Sequence, residues 1–205
     1  QKVIHRMQPK ELTQQALDWL RDAGISSVNM DLIYGLPAQS AESFDETITD
    51  VLEQEPDRLA IYSYAHVPWA APAQKHLERY GLPDAAEKLQ LFVNAVRRIT
   101  DAGYVYIGMD HFAKPQDGLS AALKEHTLHR NFQGYSTRKG TDIHAFGMSA
   151  ISQTRDMYFQ NAKELEAYEE LMDAGKFPVI RGKVLSEDDA IRREVIMSIM
   201  CSAEL

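Results

Sequence analysis

Apolar side chains recur along this chain with two periods, and the change of period marks its elements. From Pro9 to Ala23 (PKELTQQALDWLRDA), Leu12, Ala16, Leu17 and Leu20 make one stripe of a helix, which Gly24 stops. Ser40–Leu52 is a second helix, with Ser40 as N-cap and Ser43 near a capping box. Ala70–Tyr80 reads as helical, and Asp84–Ala102 is a long amphipathic helix ending at Gly103. Between these lie shorter runs rich in β-branched and aromatic residues: Val28–Tyr34, Arg58–Tyr64 and Tyr104–Gly108. The order β-α-β-α-β predicts parallel βαβ units. After Pro115 the regularity stops. Asp117–Glu125 is a short helix, and His126–Gly147 is a long loop whose Phe132, Tyr135 and Phe146 favour order. Ala162–Ala174 is a helix ended by Gly175. A final helix starts at Ser186 and opens a second domain.

One residue breaks the apolar pattern where it matters. Val28–Tyr34 reads as a buried parallel strand, yet Asp31 sits in its middle. An unpaired buried carboxylate is very costly, so Asp31 is either paired or placed to bind something. A structural acid capping neighbouring backbone is the plain alternative. Gly35 and Pro37 then break the strand. The residues that follow lie at its carboxyl end, where α/β folds place their sites.

The three predicted strands end at Asp31–Pro37, at Tyr64-Ala65-His66 and at Met109-Asp110-His111. In a parallel barrel these ends share one rim. The segment LHRNFQGY adds His129, Arg130, Gln133 and Tyr135. Plainer readings stand beside each. His66 before a Val-Pro turn fits a hydrogen-bonded structural histidine. Asp110 can orient the imidazole of His111, although neighbours on a strand point apart, so no direct pair is expected. His126 and His129 are three apart and with His111 make a possible zinc set, without characteristic spacing for a third ligand. Arg130, Arg138 and Lys139 also fit a solvated face, and Met197 and Met200 fit core.

Composition narrows the classes. The 205 residues are 44% hydrophobic and 25% charged, ordinary values for one domain plus a piece of another. A net charge of -8 argues against a nucleic-acid-binding module. No run is long and apolar enough for a membrane span, and no secretory signal is visible. The one cysteine, Cys201, excludes an internal disulfide and any four-cysteine metal site within the chain. A reducing, cytoplasmic setting is expected. The chain begins without methionine and ends in an uncapped helical pattern, so it reads as a fragment of a larger protein.

The strings NMDLIYGLPAQS, YSYAHVP, YIGMDHFAKPQD, LHRNFQGYST and GMSAIS resemble the oxygen-independent coproporphyrinogen III oxidases of the radical S-adenosylmethionine (SAM) superfamily. The resemblance runs in order along the whole chain. The first two strings are shared with a haem-chaperone-like branch, the alternative reading, whereas GMDHFAKP and LHRNFQGY favour the oxidases. Members of the family carry a CxxxCxxC motif holding a [4Fe–4S] cluster, then a Gly-Gly-Thr segment; neither is in this sequence. The implied fold is α/β: the second half of a partial (β/α)6 radical-SAM barrel over residues 1–160, then the start of a helical C-terminal domain over 161–205. The resemblance implies SAM contacts at Arg6, Asp31, the backbone of Ala65, and Ile151, with Phe132 and Gln133 at a second SAM.

The implied reaction is oxidative decarboxylation of coproporphyrinogen III. A radical derived from SAM removes a hydrogen from a propionate, and loss of CO2 and one electron leaves a vinyl. Two such conversions give protoporphyrinogen IX. A substrate with four carboxylates calls for guanidinium forks. Arg130 is the first candidate, with His111 and Lys114 weaker. SAM is then the cofactor, the [4Fe–4S] cluster belongs to the full-length protein only, and the chain alone is expected to be inactive. A truncated barrel also leaves an open parallel edge, which invites pairing with a second copy.

Overall fold

A computed structural model describes residues 1–4 and 6–202. They form two compact units that divide at Lys124/Glu125. The division expected at 160/161 does not fall there, because Asn161 is paired inside a sheet with Val179.

The first unit contains α1 (Lys10–Asp22), β1 (Asn29–Tyr34), α2 (Ala41–Glu53), β2 (Arg58–Ser63), α3 (Ala85–Asp101), β3 (Val105–Gly108), β4 (His111–Ala113) and α4 (Gly118–Lys124). The expected helix at 70–80 is a 3-10 segment, Pro72–Tyr80. The capping box expected at Ser40 and Ser43 forms on α2, and a second joins Asp84 and Glu87 on α3. Each satisfies two N–H groups that a helix start leaves open.

The sheet has the order β1-β2-β4-β3. β1 and β2 are parallel, with Asp31 opposite Ala60. The third expected strand does not dock directly on β2. The chain reverses at Met109 (φ 52°) and Asp110, and β4 inserts antiparallel between β2 and β3. β3 therefore keeps the direction of β1 and β2, so all three end on one edge of the sheet. Leu59, Ile61 and Phe112 face Phe44, Ile48 and Val51 of α2 and Leu91, Ala95 and Ile99 of α3 in one core. Each large side chain so buried contributes about 1.5–3 kcal/mol.

The second unit contains β5 (His129–Asn131), β6 (Gly134–Ser136), β7 (Ile151–Gln153), β8 (Met157–Asn161), α5 (Leu165–Asp173), β9 (Val179–Val184) and α6 (Glu187–Ser202). The expected loop 126–147 holds the β5–β6 hairpin, whose turn is Phe132-Gln133. The antiparallel sheet β7-β8-β9 had no strand expected for it. Its segments are short and carry polar residues on both faces, so period two is weak there. Residues 203–205 of the expected terminal helix lie outside the described residues. No helix among the described residues is long and apolar enough to cross a membrane.

Candidate active site

In the first unit the site is the open face and carboxyl edge of the sheet. Met30, Leu32 and Tyr34 pack toward the helices, so Asn29, Asp31 and Ile33 project from the opposite face. Asp31 is therefore exposed, not buried as the apolar run suggests. The strand is covered on one face only. Its carboxylate accepts from Asn29 Nδ2 at 2.6 Å. Ala60, opposite Asp31, also pairs with His111, so Asp31 and His111 flank a fully buried alanine in one row.

His111 is half-buried and packs edge-on against Tyr62, ring centroids 6.1 Å apart. Its Nδ1 lies 2.6 Å from Asp110 Oδ1. This corrects the expectation that adjacent residues point apart: Asp110 is in the turn, not the strand, and folds back onto the ring. Lys114 is placed elsewhere. Because β4 runs backward, Lys114 reaches the amino edge of the sheet, where its Nζ donates to the Glu55 carbonyl at 2.9 Å and lies 4.0 Å from Asp57. It thus lies at the edge of the sheet opposite the carboxyl rim.

The rim itself is built by three amide and amine side chains that periodicity did not single out. Gln39 Oε1 accepts from the N–H of Gly35 (2.6 Å) and of Leu36 (3.2 Å), closing the turn after β1. Gln74 bridges the loop after β2, donating to the Ala65 carbonyl and accepting from the Val67 N–H. Lys88 donates to the Tyr64 carbonyl at 2.8 Å. Gln39 and Gln74 are legible only as polar residues following a strand end. Lys88 gave no signal. Ala65 is exposed, and beside it Tyr64 Oη and His66 Nδ1 are buried with no hydrogen-bond partner among the described residues. Orphaned polar atoms of this kind call for a ligand or water. His66 also meets Glu78 through Nε2 at 3.1 Å. Arg6 is exposed next to the segment Lys2–Ile4, which packs against Pro72–Tyr80 in the loop after β2.

In the second unit Phe132 and Gln133 form the exposed tip of the β5–β6 hairpin, where Gln133 N–H donates to Asn131 Oδ1. Arg130 lies over the Tyr135 ring at 5.7 Å, and its Nε is buried without a partner among the described residues. Burial pushes the Cys201 thiol up, against the pull of Arg130 and Lys139, so Cys201 is a protonated core residue. Burial pushes the His129 imidazole down, helped by Lys139 and Arg193. Ile151 stands on β7 opposite Gln160. Among the described residues no group of His, Cys, Asp and Glu gathers to hold a metal, so the zinc set of His111, His126 and His129 is not formed.

No family model matches the chain. Whole relatives do. It is 45% identical over 205 residues to the oxygen-independent coproporphyrinogen III oxidase of Synechocystis sp. and 45% identical to that of Helicobacter pylori, covering all of this chain and 44% and 45% of theirs. In structure it is similar to coproporphyrinogen III oxidase (HemN) from Escherichia coli, a radical SAM enzyme, with a TM-score of 0.94 and 44% identity over 98% of this chain and 46% of that one. Fold and strand-end geometry therefore define part of a radical SAM barrel. The relatives that these residues match are named oxygen-independent coproporphyrinogen III oxidases, and the chain spans 44% and 45% of the two above and 63% of the one from Thermostichus vulcanus.

Proposed function

We propose that this chain forms the SAM- and substrate-facing part of a protein that oxidatively decarboxylates two propionates of coproporphyrinogen III to vinyls. The observation that carries the reading is the gathering of polar groups at the carboxyl rim, two of them buried without a hydrogen-bond partner among the described residues. Exposed Asp31 shares one sheet face with His111, and the buried orphans Tyr64 Oη and His66 Nδ1 flank Ala65.

These residues fit SAM. Asp31 accepts hydrogen bonds from ribose hydroxyls or an ammonium. The strand-end backbone at Ala65, whose carbonyl accepts from Gln74, reads an adenine edge without side chains. Arg6, Ile151, Phe132 and Gln133 are the further proposed contacts. Bound with the iron–sulfur cluster of the full-length protein, SAM would supply the radical that removes a hydrogen atom from the propionate, and the second electron, released with CO2, would pass to an electron acceptor. The chain's own residues bind, orient and exclude water. Arg130 offers a guanidinium whose Nε lacks a partner among the described residues, suited to a propionate. His111, fixed by Asp110, stands on the same open face as Asp31.

The test uses the full-length protein under anaerobic conditions with a reductant. Coproporphyrinogen III consumption with two CO2 per protoporphyrinogen IX is expected. Haem binding without consumption would transfer the chain to the chaperone-like alternative.

A further inference from the structure

A second concave site lies wholly within the second unit. A cavity of about 300 Å³ opens on the β7-β8-β9 sheet, lined by Ile151, Tyr158, Gln160, Arg181 and Lys183. Register places Ile151, Gln160 and Arg181 in one row and Tyr158 and Lys183 in another row of the same face. Gln160 is only 8% exposed. Its Nε2 donates to the Ser149 carbonyl at 2.8 Å, which turns its Oε1 toward β9. Arg181 donates to that oxygen through both Nε (2.8 Å) and Nη2.

A guanidinium held by a buried neutral amide is unusual in a chain with 30 acids and a net charge of -8. Arg181 is exposed, as is the rest of β9, and on that strand Lys183 pairs with Asp189 at 3.1 Å. Arg181 has no carboxylate partner among the described residues. Gln160 fixes one side of the fork without neutralising it, and the rest of its N–H donors remain available. Planar donors of this kind match a carboxylate in two-point geometry. The neighbouring Ile151, Tyr158 and Phe159 give the cavity a largely apolar wall.

We propose that Arg181, positioned by Gln160, binds a carboxylate carried on a molecule with an apolar body. This rests on the reading of the chain as part of a coproporphyrinogen-decarboxylating protein. Two carboxylates then qualify: a propionate of the tetrapyrrole and the amino-acid carboxylate of SAM.

The experiment takes full-length protein with Arg181→Gln and Arg181→Lys, and Arg192→Gln as a control for loss of an exposed cation. Binding of coproporphyrin III and of SAM is measured separately by equilibrium dialysis, which needs no turnover. Arg181→Gln is expected to weaken one of them by about 10- to 100-fold, the range for a charged hydrogen bond. Arg181→Lys is expected to recover part of the loss, since charge remains but the fork does not. Weakened coproporphyrin binding assigns the site to a propionate, and weakened SAM binding assigns it to the SAM carboxylate. Unchanged binding of both by folded Arg181→Gln overturns the proposal. Should that variant fail to fold, Arg181→Lys binding both ligands like wild type overturns it equally. Wild-type protein that binds coproporphyrin III but never consumes coproporphyrinogen III counts against the proposed function and leaves this assignment standing.

Discussion

Lys88 lies directly across Gly35: a Cβ on Gly35 would fall 2.7 Å from Lys88 Cε. The same lysine donates to the Tyr64 carbonyl, so one side chain ties the turn after β1 to the end of β2. Gly35 also has φ +77°, which a β-carbon makes unfavourable. Gly35→Ala is expected to lower stability by about 1–3 kcal/mol through both effects. Lys88→Ala in the same molecule should recover the steric part and leave the backbone part. A double-mutant cycle in urea reads the difference, and strict additivity would disprove the contact.

Tyr104 sets an alkaline limit on stability. Its hydroxyl donates to the Pro56 carbonyl at 2.6 Å in the core. Burial first, then the charges of Asp57 and Glu55, push its phenol up to about 12. In the unfolded chain it ionises near 10. The folded state thus holds its proton where the unfolded state has lost it. The stabilisation is complete below pH 10 and disappears as pH rises from 10 to 12. Tyr104→Phe should flatten that limb, at a cost of about 1 kcal/mol at neutral pH for the lost hydrogen bond. Urea midpoints measured across pH 9–12 check both effects.

His129 acts at the other end of the scale. Its imidazole is held below the ordinary value of 6.5, chiefly by burial. The unfolded chain therefore takes up a proton before the folded one does. The stabilisation is present above pH 6.5 and is lost as pH falls through the depressed folded value. His129→Gln should remove that acid slope. Its imidazole resonances in an NMR titration should move at a pH below those of an exposed histidine.

Where the sequence was legible, a local pattern decided the outcome. Ser40 with Ser43 fixed the start of α2 because caps are made by residues three apart. Reversal at Met109–Asp110 was hidden because a left-handed methionine carries no sequence mark. It carries Lys114 to the amino edge and brings Asp110 onto His111. Gln160 and Arg181 lie 21 residues apart and meet only through β8–β9 register, which short polar strands do not announce. The motif strings located the rim because their residues fall at strand ends, but they carried no information about which face Asp31 takes.

Two aspartates show how that last point matters. Asp117, not Asp31, is the buried acid of the first unit. It accepts from Arg58 Nε at 2.8 Å, from Ser27 Oγ at 3.3 Å and from the Leu119 N–H at 2.8 Å. Removing one member of a buried pair strands the other, and Arg58 is about one-third exposed, so Asp117→Ala should cost about 3 kcal/mol, the low end of that range. Asp31 lies exposed on the open face, where its carboxylate accepts from Asn29 Nδ2. Asp31→Asn keeps the shape and removes the charge, so folding should be unaffected. In the full-length protein it should weaken SAM binding tenfold or more, roughly the worth of one charged hydrogen bond. Thermal melts and SAM dialysis on both variants give a crossed result: Asp117→Ala melts early, whereas Asp31→Asn melts normally and binds poorly. Normal SAM binding by Asp31→Asn would remove Asp31 from the site while leaving the fold argument untouched.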